Sequence, residues 1–188
     1  MIAYLHGFNS SPNSHKAQVL AAYLAARGRA SEYACPALPP HARQAIAVVE
    51  SLMAAQPEGT RWCFVGSSLG GFYATYLAET HGARAVLLNP AVEPHVGLGA
   101  YLGEQSNLHT GERYELTESH LGAWRSLYVP RLHPERYLLI VETDDEVLDY
   151  RRAVERYRGA EQIVVPGGDH SVRSFEQHLP RILGFAQG

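Results

Sequence analysis

The chain has 188 residues and a mass of 20.7 kDa, with 46% apolar and 19% charged residues, a balance that fits one folded domain with a sizeable core and excludes a disordered polymer. A net charge of −3 and a pI near 6.4 provide no basic field for nucleic acid or an anionic membrane surface. No apolar run approaches the roughly 18 residues that a membrane span needs.

Short apolar runs alternate with helical patterns along the chain. Ile2–His6 reads as a brief strand, and Ser11-Pro12 with Ser14 offers helix-start chemistry. Val19, Leu20, Tyr23 and Leu24 recur at helical spacing, with Gly28 as the stop. Glu32–Cys35 reads as a second strand, closed by Pro36, Pro39 and Pro40. A helix over Ala42–Gln56 sets Ile46, Val49 and Met53 on one stripe. Arg61–Val65 is the third strand, followed by a helix from Ser68 to His81, and Ala85–Leu88 is the fourth, stopped at Asn89-Pro90. From Glu93 to Glu135 the alternation lapses, and five glycines with weak periodicity predict an irregular insertion. Order returns with strand Tyr137–Glu142, helix Val147–Tyr157, strand Gln162–Val165 and a helix over Arg173–Phe185 that Pro180 is expected to kink. Six short strands alternating with helices predict a parallel, doubly wound α/β sheet, in which chemistry gathers at the carboxyl ends of strands.

Three of those strand ends carry reactive side chains. Gly66-Ser67-Ser68-Leu69-Gly70 between a strand and a helix is the arrangement of a nucleophile elbow. Its glycines clear space where strand and helix nearly touch, and Ser68 projects above the sheet. Ser67, one step off centre, is read as packing or support. A serine hydroxyl needs a base at neutral pH. His170, on the loop Gly167-Gly168-Asp169-His170 after the last strand, can supply it, because an imidazole titrates near the operating pH. The base needs an orienting carboxylate, and the only aspartates are Asp144, Asp145, Asp149 and Asp169. Asp145 is the choice and Asp149 the alternative; Asp144 can turn away from the site, and Asp169 adjoins the histidine on the wrong side of its peptide.

The loop His6-Gly7-Phe8-Asn9 after the first strand predicts an oxyanion hole made by the amides of Phe8 and Leu69. The Phe8 ring is expected to floor an acyl pocket, His6 to hold the loop by hydrogen bonds, and Asn89 to bond loop backbone near the elbow or to touch substrate. Cys35 and Cys63 read as buried free thiols, and the ten histidines lack metal-ligand spacing, so no metal or organic cofactor is expected. The opening Met-Ile-Ala-Tyr-Leu has no cationic leader, and the expected setting is the reducing cytoplasm.

The motifs Tyr4-Leu5-His6-Gly7-Phe8-Asn9-Ser10-Ser11-Pro12, Gly66-Ser67-Ser68-Leu69-Gly70-Gly71, Leu88-Asn89-Pro90-Ala91-Val92, Thr143-Asp144-Asp145-Glu146-Val147 and Gly168-Asp169-His170-Ser171 together resemble the bacterial YqiA-type esterases, a branch of the α/β-hydrolase superfamily. The resemblance spans the chain. It implies a compact α/β-hydrolase fold over 1–188 that lacks the first two strands of larger relatives. It further implies a Ser68, Asp145, His170 triad and hydrolysis of esters or thioesters. The sequence departs from the family at Asp144, where the family tends to carry Gly. Gly103-Glu104, Asn107 and Thr110-Gly111-Glu112-Arg113-Tyr114 also match that family, and 93–135 is expected to cover the site as a cap or lid, unless it merely covers an edge. The expected function is a serine esterase acting on a small-molecule ester through an acyl-enzyme. An acyl-CoA thioesterase or serine peptidase is the alternative, and a non-catalytic binding protein the rival from another class.

Overall fold

The structure is a computed structural model that describes residues 1–107 and 109–188. In chain order its elements are β1 (Ile2–Leu5), α1 (His15–Ala25), β2 (Tyr33–Ala34), α2 (Ala42–Ala54), β3 (Cys63–Ser67), α3 (Leu69–His81), β4 (Arg84–Leu88), α4 (Pro94–Gly97), β5 (Gly103–Ser106), β6 (Arg113–Leu116), α5 (Glu118–Ser126), β7 (Tyr137–Glu142), α6 (Tyr150–Arg156), β8 (Glu161–Val165) and α7 (Phe175–Gln187). Six strands form one parallel sheet in the order β2-β1-β3-β4-β7-β8.

The inner strands are apolar on both faces, as a parallel sheet covered by helices on both sides requires. Ala3, Phe64, Leu87 and Leu139 pack with residues of α2, α3 and α6, whereas Tyr4, Val65, Leu88 and Ile140 pack with α1 and α7. α1 and α2 each present one stripe, Ala17, Leu20 and Leu24 on α1 and Ala42, Ala45, Ile46 and Val49 on α2, whereas α3 is buried almost all round from Leu69 to Ala78. Among the described residues, no helix is long and apolar enough to cross a membrane.

Several sequence expectations shift. β3 runs Cys63–Ser67, two residues later than expected, because Gly66 is held in the ladder by Leu5 on one side and Leu87 on the other. Glu32–Cys35 shortens to the two-residue edge strand β2. α6 starts at Tyr150 instead of Val147, since the Val147 and Leu148 amides turn toward Asp145. α7 runs Phe175–Gln187 as one helix with Pro180 inside it. Cys63 is buried, but Cys35 is half-buried.

The 93–135 stretch is more ordered than its sequence suggests. It holds α4, the antiparallel β5–β6 hairpin and α5. Leu116, Leu121, Ala123 and Trp124 join the core cluster of α2 and α3, with Trp124 fully buried and its Nε1 donating to Tyr73 Oη at 2.8 Å. These elements are four to nine residues long, too short for periodicity to register.

Candidate active site

β3 ends at Ser67 and α3 begins at Leu69, so Ser68 alone makes the turn, at φ 53° and ψ −119°. Such a conformation costs a non-glycine residue about 1–3 kcal/mol and persists only where its surroundings impose it. Here the Ser68 amide donates to Leu88 O at 3.0 Å, and its carbonyl accepts from Gly71 and Ala91 at 2.9 and 3.0 Å. Two glycines make the turn possible. A Cβ on Gly66 would stand 2.2 Å from Gly70 O, and one on Gly70 would stand 1.9 Å from Leu5 O.

Ser68 Oγ lies 3.1 Å from His170 Nε2, and His170 Nδ1 lies 3.0 and 2.9 Å from the two Asp145 oxygens. Asp145 Oδ1 also accepts from the Val147 and Leu148 amides at 2.8 Å each. Its side chain is 1% exposed. Burial alone raises a carboxyl pKa, but the bonds from the His170 ring and the Leu148 and Val147 amides outweigh it, so the group lies below the ordinary range and is ionised at neutral pH. An ionised acceptor keeps the imidazole proton on Nδ1 and turns the Nε2 lone pair toward the serine hydroxyl.

The other aspartates point elsewhere. Asp149 caps α6 through the Arg151 amide at 3.0 Å, with its side chain half exposed. Asp144 accepts from Thr143 Oγ1 at 3.1 Å, and Asp169 bonds the Ser171 amide at 2.8 Å and Arg173 Nε at 2.6 Å.

Gly7 lies against the serine, where a Cβ would stand 3.3 Å from Ser68 Cβ and 3.8 Å from its Oγ. Phe8 N–H has no acceptor among the described residues, and Leu69 N–H is the first of α3, with no acceptor inside the helix. His6 is buried, with Nδ1 3.1 Å from Gly7 O and Nε2 accepting from the Leu38 amide at 3.1 Å. Burial lowers its pKa, so the ring is neutral and serves as a brace. Ser67 is also buried and borders the cleft. Asn89 does not line the cleft: its Oδ1 accepts from Glu142 N at 2.9 Å and its Nδ2 donates to Asp169 O at 3.0 Å, so both ends of the amide are occupied by backbone. The cleft over Ser68 holds about 860 Å³, within the range of small-molecule sites. Phe8, Val92, Leu98, Tyr101 and Leu148 give it apolar lining, and Lys16 and Arg173 also line it. Among the described residues, no group of three or more His, Cys, Asp or Glu is arranged to hold a metal ion.

Residues 1–187 match the model of an uncharacterised protein family, UPF0227. The chain belongs to that family. It is 28% identical over 189 residues to a UPF0227 protein of Serratia proteamaculans, with 98% of each chain covered. Among solved structures, mouse alpha/beta hydrolase domain-containing protein 10 matches with a TM-score of 0.74 at 17% identity, covering 99% of this chain and 89% of that one. A structure described under LipS and LipT, two metagenome-derived lipolytic enzymes, matches with a TM-score of 0.72 at 21% identity, covering 99% and 92%. The UPF0227 chain thus has the compact α/β-hydrolase fold.

Two glutamates of this UPF0227 protein escaped the sequence reading. Glu142, at the end of β7, is 1% exposed and accepts from the Asp169, Arg173 and Ser174 amides at 2.7, 3.0 and 2.7 Å. Burial pushes its pKa up, but the bonds from Ser174, Asp169 and Arg173 outweigh it and hold the carboxyl below its usual range. Glu146 Oε2 accepts from the His170 amide at 3.0 Å. Lys16 Nζ donates to Ser171 O at 2.7 Å. The loop bearing His170 is therefore fixed by side chains from the end of β7, the loop after it, the loop after β4 and α1. The one signal in the sequence was a charged residue closing the apolar run Tyr-Leu-Leu-Ile-Val.

Proposed function

We propose that this protein is a serine esterase that hydrolyses carboxylic esters through an acyl-enzyme. The observation that carries the reading is the continuous chain of hydrogen bonds from Ser68 Oγ through His170 to Asp145, at the floor of a cleft and on a strained turn. Ser68 Oγ attacks the ester carbonyl while His170 Nε2 takes its proton. The amides of Phe8 and Leu69 stabilise the oxyanion, each contributing about 10²–10³ in rate. Asp145 stabilises the imidazolium, which then gives its proton to the departing alcohol. A water molecule, deprotonated by His170, attacks the acyl carbon; the acyl–oxygen bond breaks, His170 returns the proton to Ser68 Oγ, and the acid leaves with the serine restored. These steps require no metal or organic cofactor, and the apolar residues lining the cleft suit the acyl chain. The 93–135 segment, which contributes Val92's neighbours Pro94, Leu98 and Tyr101 to the cleft, acts as a cap that shapes it. The lipolytic description of a structural neighbour agrees with this reading.

A fluorophosphonate probe tests it. The wild-type protein is expected to label at Ser68, and Ser68→Ala is expected to lose both labelling and about 10⁶ in kcat while remaining folded. A panel of p-nitrophenyl esters, acyl-CoA and peptides sorts the bond cleaved, with turnover of short esters expected. A folded wild-type protein that takes no label overturns the assignment and favours a binding protein, and turnover of peptides alone overturns the ester.

A further inference from the structure

Three consecutive residues of the loop after β1 are each held by the 93–135 segment. The Phe8 ring packs against Tyr101 and Trp124, with centroids 6.4 and 6.5 Å away. Asn9 donates through Nδ2 to Gln105 Oε1 at 3.2 Å and accepts at Oδ1 from Tyr114 Oη at 2.8 Å. Ser10 O accepts from Asn107 Nδ2 at 2.8 Å. Asn107 is itself fixed, since its Oδ1 accepts from the His109 and Thr110 amides at 2.9 and 3.2 Å, and its backbone pairs with Glu112 and Gly111.

Asn9 has φ 49°, in the left-handed region that asparagine enters more readily than most L-residues. Among the described residues, its side-chain amide is bonded to Gln105 of β5 and Tyr114 of β6 and to nothing else. Between the loop, Leu38, Tyr73 and Tyr114 the space is about 20 Å³, enough for one water at most, so the loop and β6 pack closely there.

We propose that the β5–β6 hairpin is a buttress that sets the oxyanion hole, with Tyr114 as a positioning residue acting through Asn9 on the Phe8 amide. The inference rests on the serine-hydrolase reading above. It separates two jobs within one segment: α4 and the turn to Tyr101 shape the cleft, while the hairpin aligns a donor that it does not itself provide. A segment that swung away to admit substrate would release residues 8, 9 and 10 together. The hairpin therefore stays seated through turnover.

Tyr114→Phe removes one hydroxyl and keeps the ring. It is expected to lower kcat by about 10- to 100-fold, a fraction of the loss of a whole donor, with KM within twofold. Affinity for an aryl boronic acid, which forms a tetrahedral adduct on the serine, is expected to fall by the same factor as kcat, and melting to shift little. Gln105→Leu, which removes the acceptor on the other side of Asn9 together with the bond from Gln105 Nε2 to Tyr101 O at 2.6 Å, is expected to lower kcat and boronate affinity likewise. Gln105→Leu carries the test where Tyr114→Phe fails to fold. Unchanged kcat and boronate affinity in both variants, or a rise in KM alone, overturns the buttress and supports a moving lid. A wild-type protein that does not label at Ser68 instead removes the reading beneath it, so the two failures are told apart.

Discussion

Glu142 is a carboxylate sealed beneath the His170 loop, and replacing it with Gln isolates what its charge and second oxygen do. Oε1 accepts from the Ser174 amide, and Oε2 from those of Asp169 and Arg173. A glutamine of the same shape keeps one acceptor oxygen, and its NH₂ group then faces at least one backbone N–H. In its better orientation it retains the Asp169 and Arg173 bonds and strands the Ser174 donor. A buried donor left without a partner costs about 1–3 kcal/mol, and the two remaining bonds lose their charge assistance. The total is about 2–4 kcal/mol, which for a chain of this size lowers Tm by roughly 4–16 °C. Thermal melts at pH 7 read it directly. The pH dependence has a definite sign. The folded-state pKa of Glu142 is depressed, so its contribution is fully present above the unfolded value of about 4.3 and is lost as pH falls through the folded value. The Tm gap between wild type and Glu142→Gln is therefore flat from pH 7 to about 5 and closes in stronger acid. A gap under 1 °C at pH 7, or one that widens on acidification, would refute the account of this carboxylate as a charged clamp.

Asp145→Asn is expected to lower kcat by about 10⁴, whereas Asp149→Ala leaves kcat within threefold and costs about 0.5–2 kcal/mol of stability as a lost helix cap; initial-rate kinetics and urea melts on both variants decide between them. Gly70→Ala drives a Cβ to 1.9 Å from Leu5 O, a backbone atom that cannot yield, and is expected to leave the protein insoluble or unfolded on expression. Burial pushes the Cys63 thiol up to about 12 and Cys35 up to about 11, so at pH 8 a chromogenic disulfide reagent is expected to titrate neither in the folded protein and both in denaturant.

The architecture was readable because a parallel sheet demands strands apolar on both faces, and Tyr137–Val141 and Ala85–Leu88 are written that way. The elbow was readable for a steric reason: Gly66 and Gly70 occupy positions where any side chain would overlap backbone. The order of the residues favoured Asp145 but left Asp149 open, because both lie between the same strand and helix; the His170 bond and the turn of the Val147 and Leu148 amides toward Asp145 distinguish them in space. Glu142 and Glu146 stayed hidden because their partners are backbone N–H groups, which every residue carries. The hairpin contacts were equally invisible, since Asn9 meets Gln105 and Tyr114 across about a hundred residues of chain.

Ser68 adopts a backbone shape that glycine occupies at no steric expense. Ser68→Gly is thus expected to withstand more denaturant than the natural chain while taking up no fluorophosphonate. Reactivity and durability oppose each other at a single α-carbon, and a descendant excused from chemistry would have an immediate route to a sturdier fold.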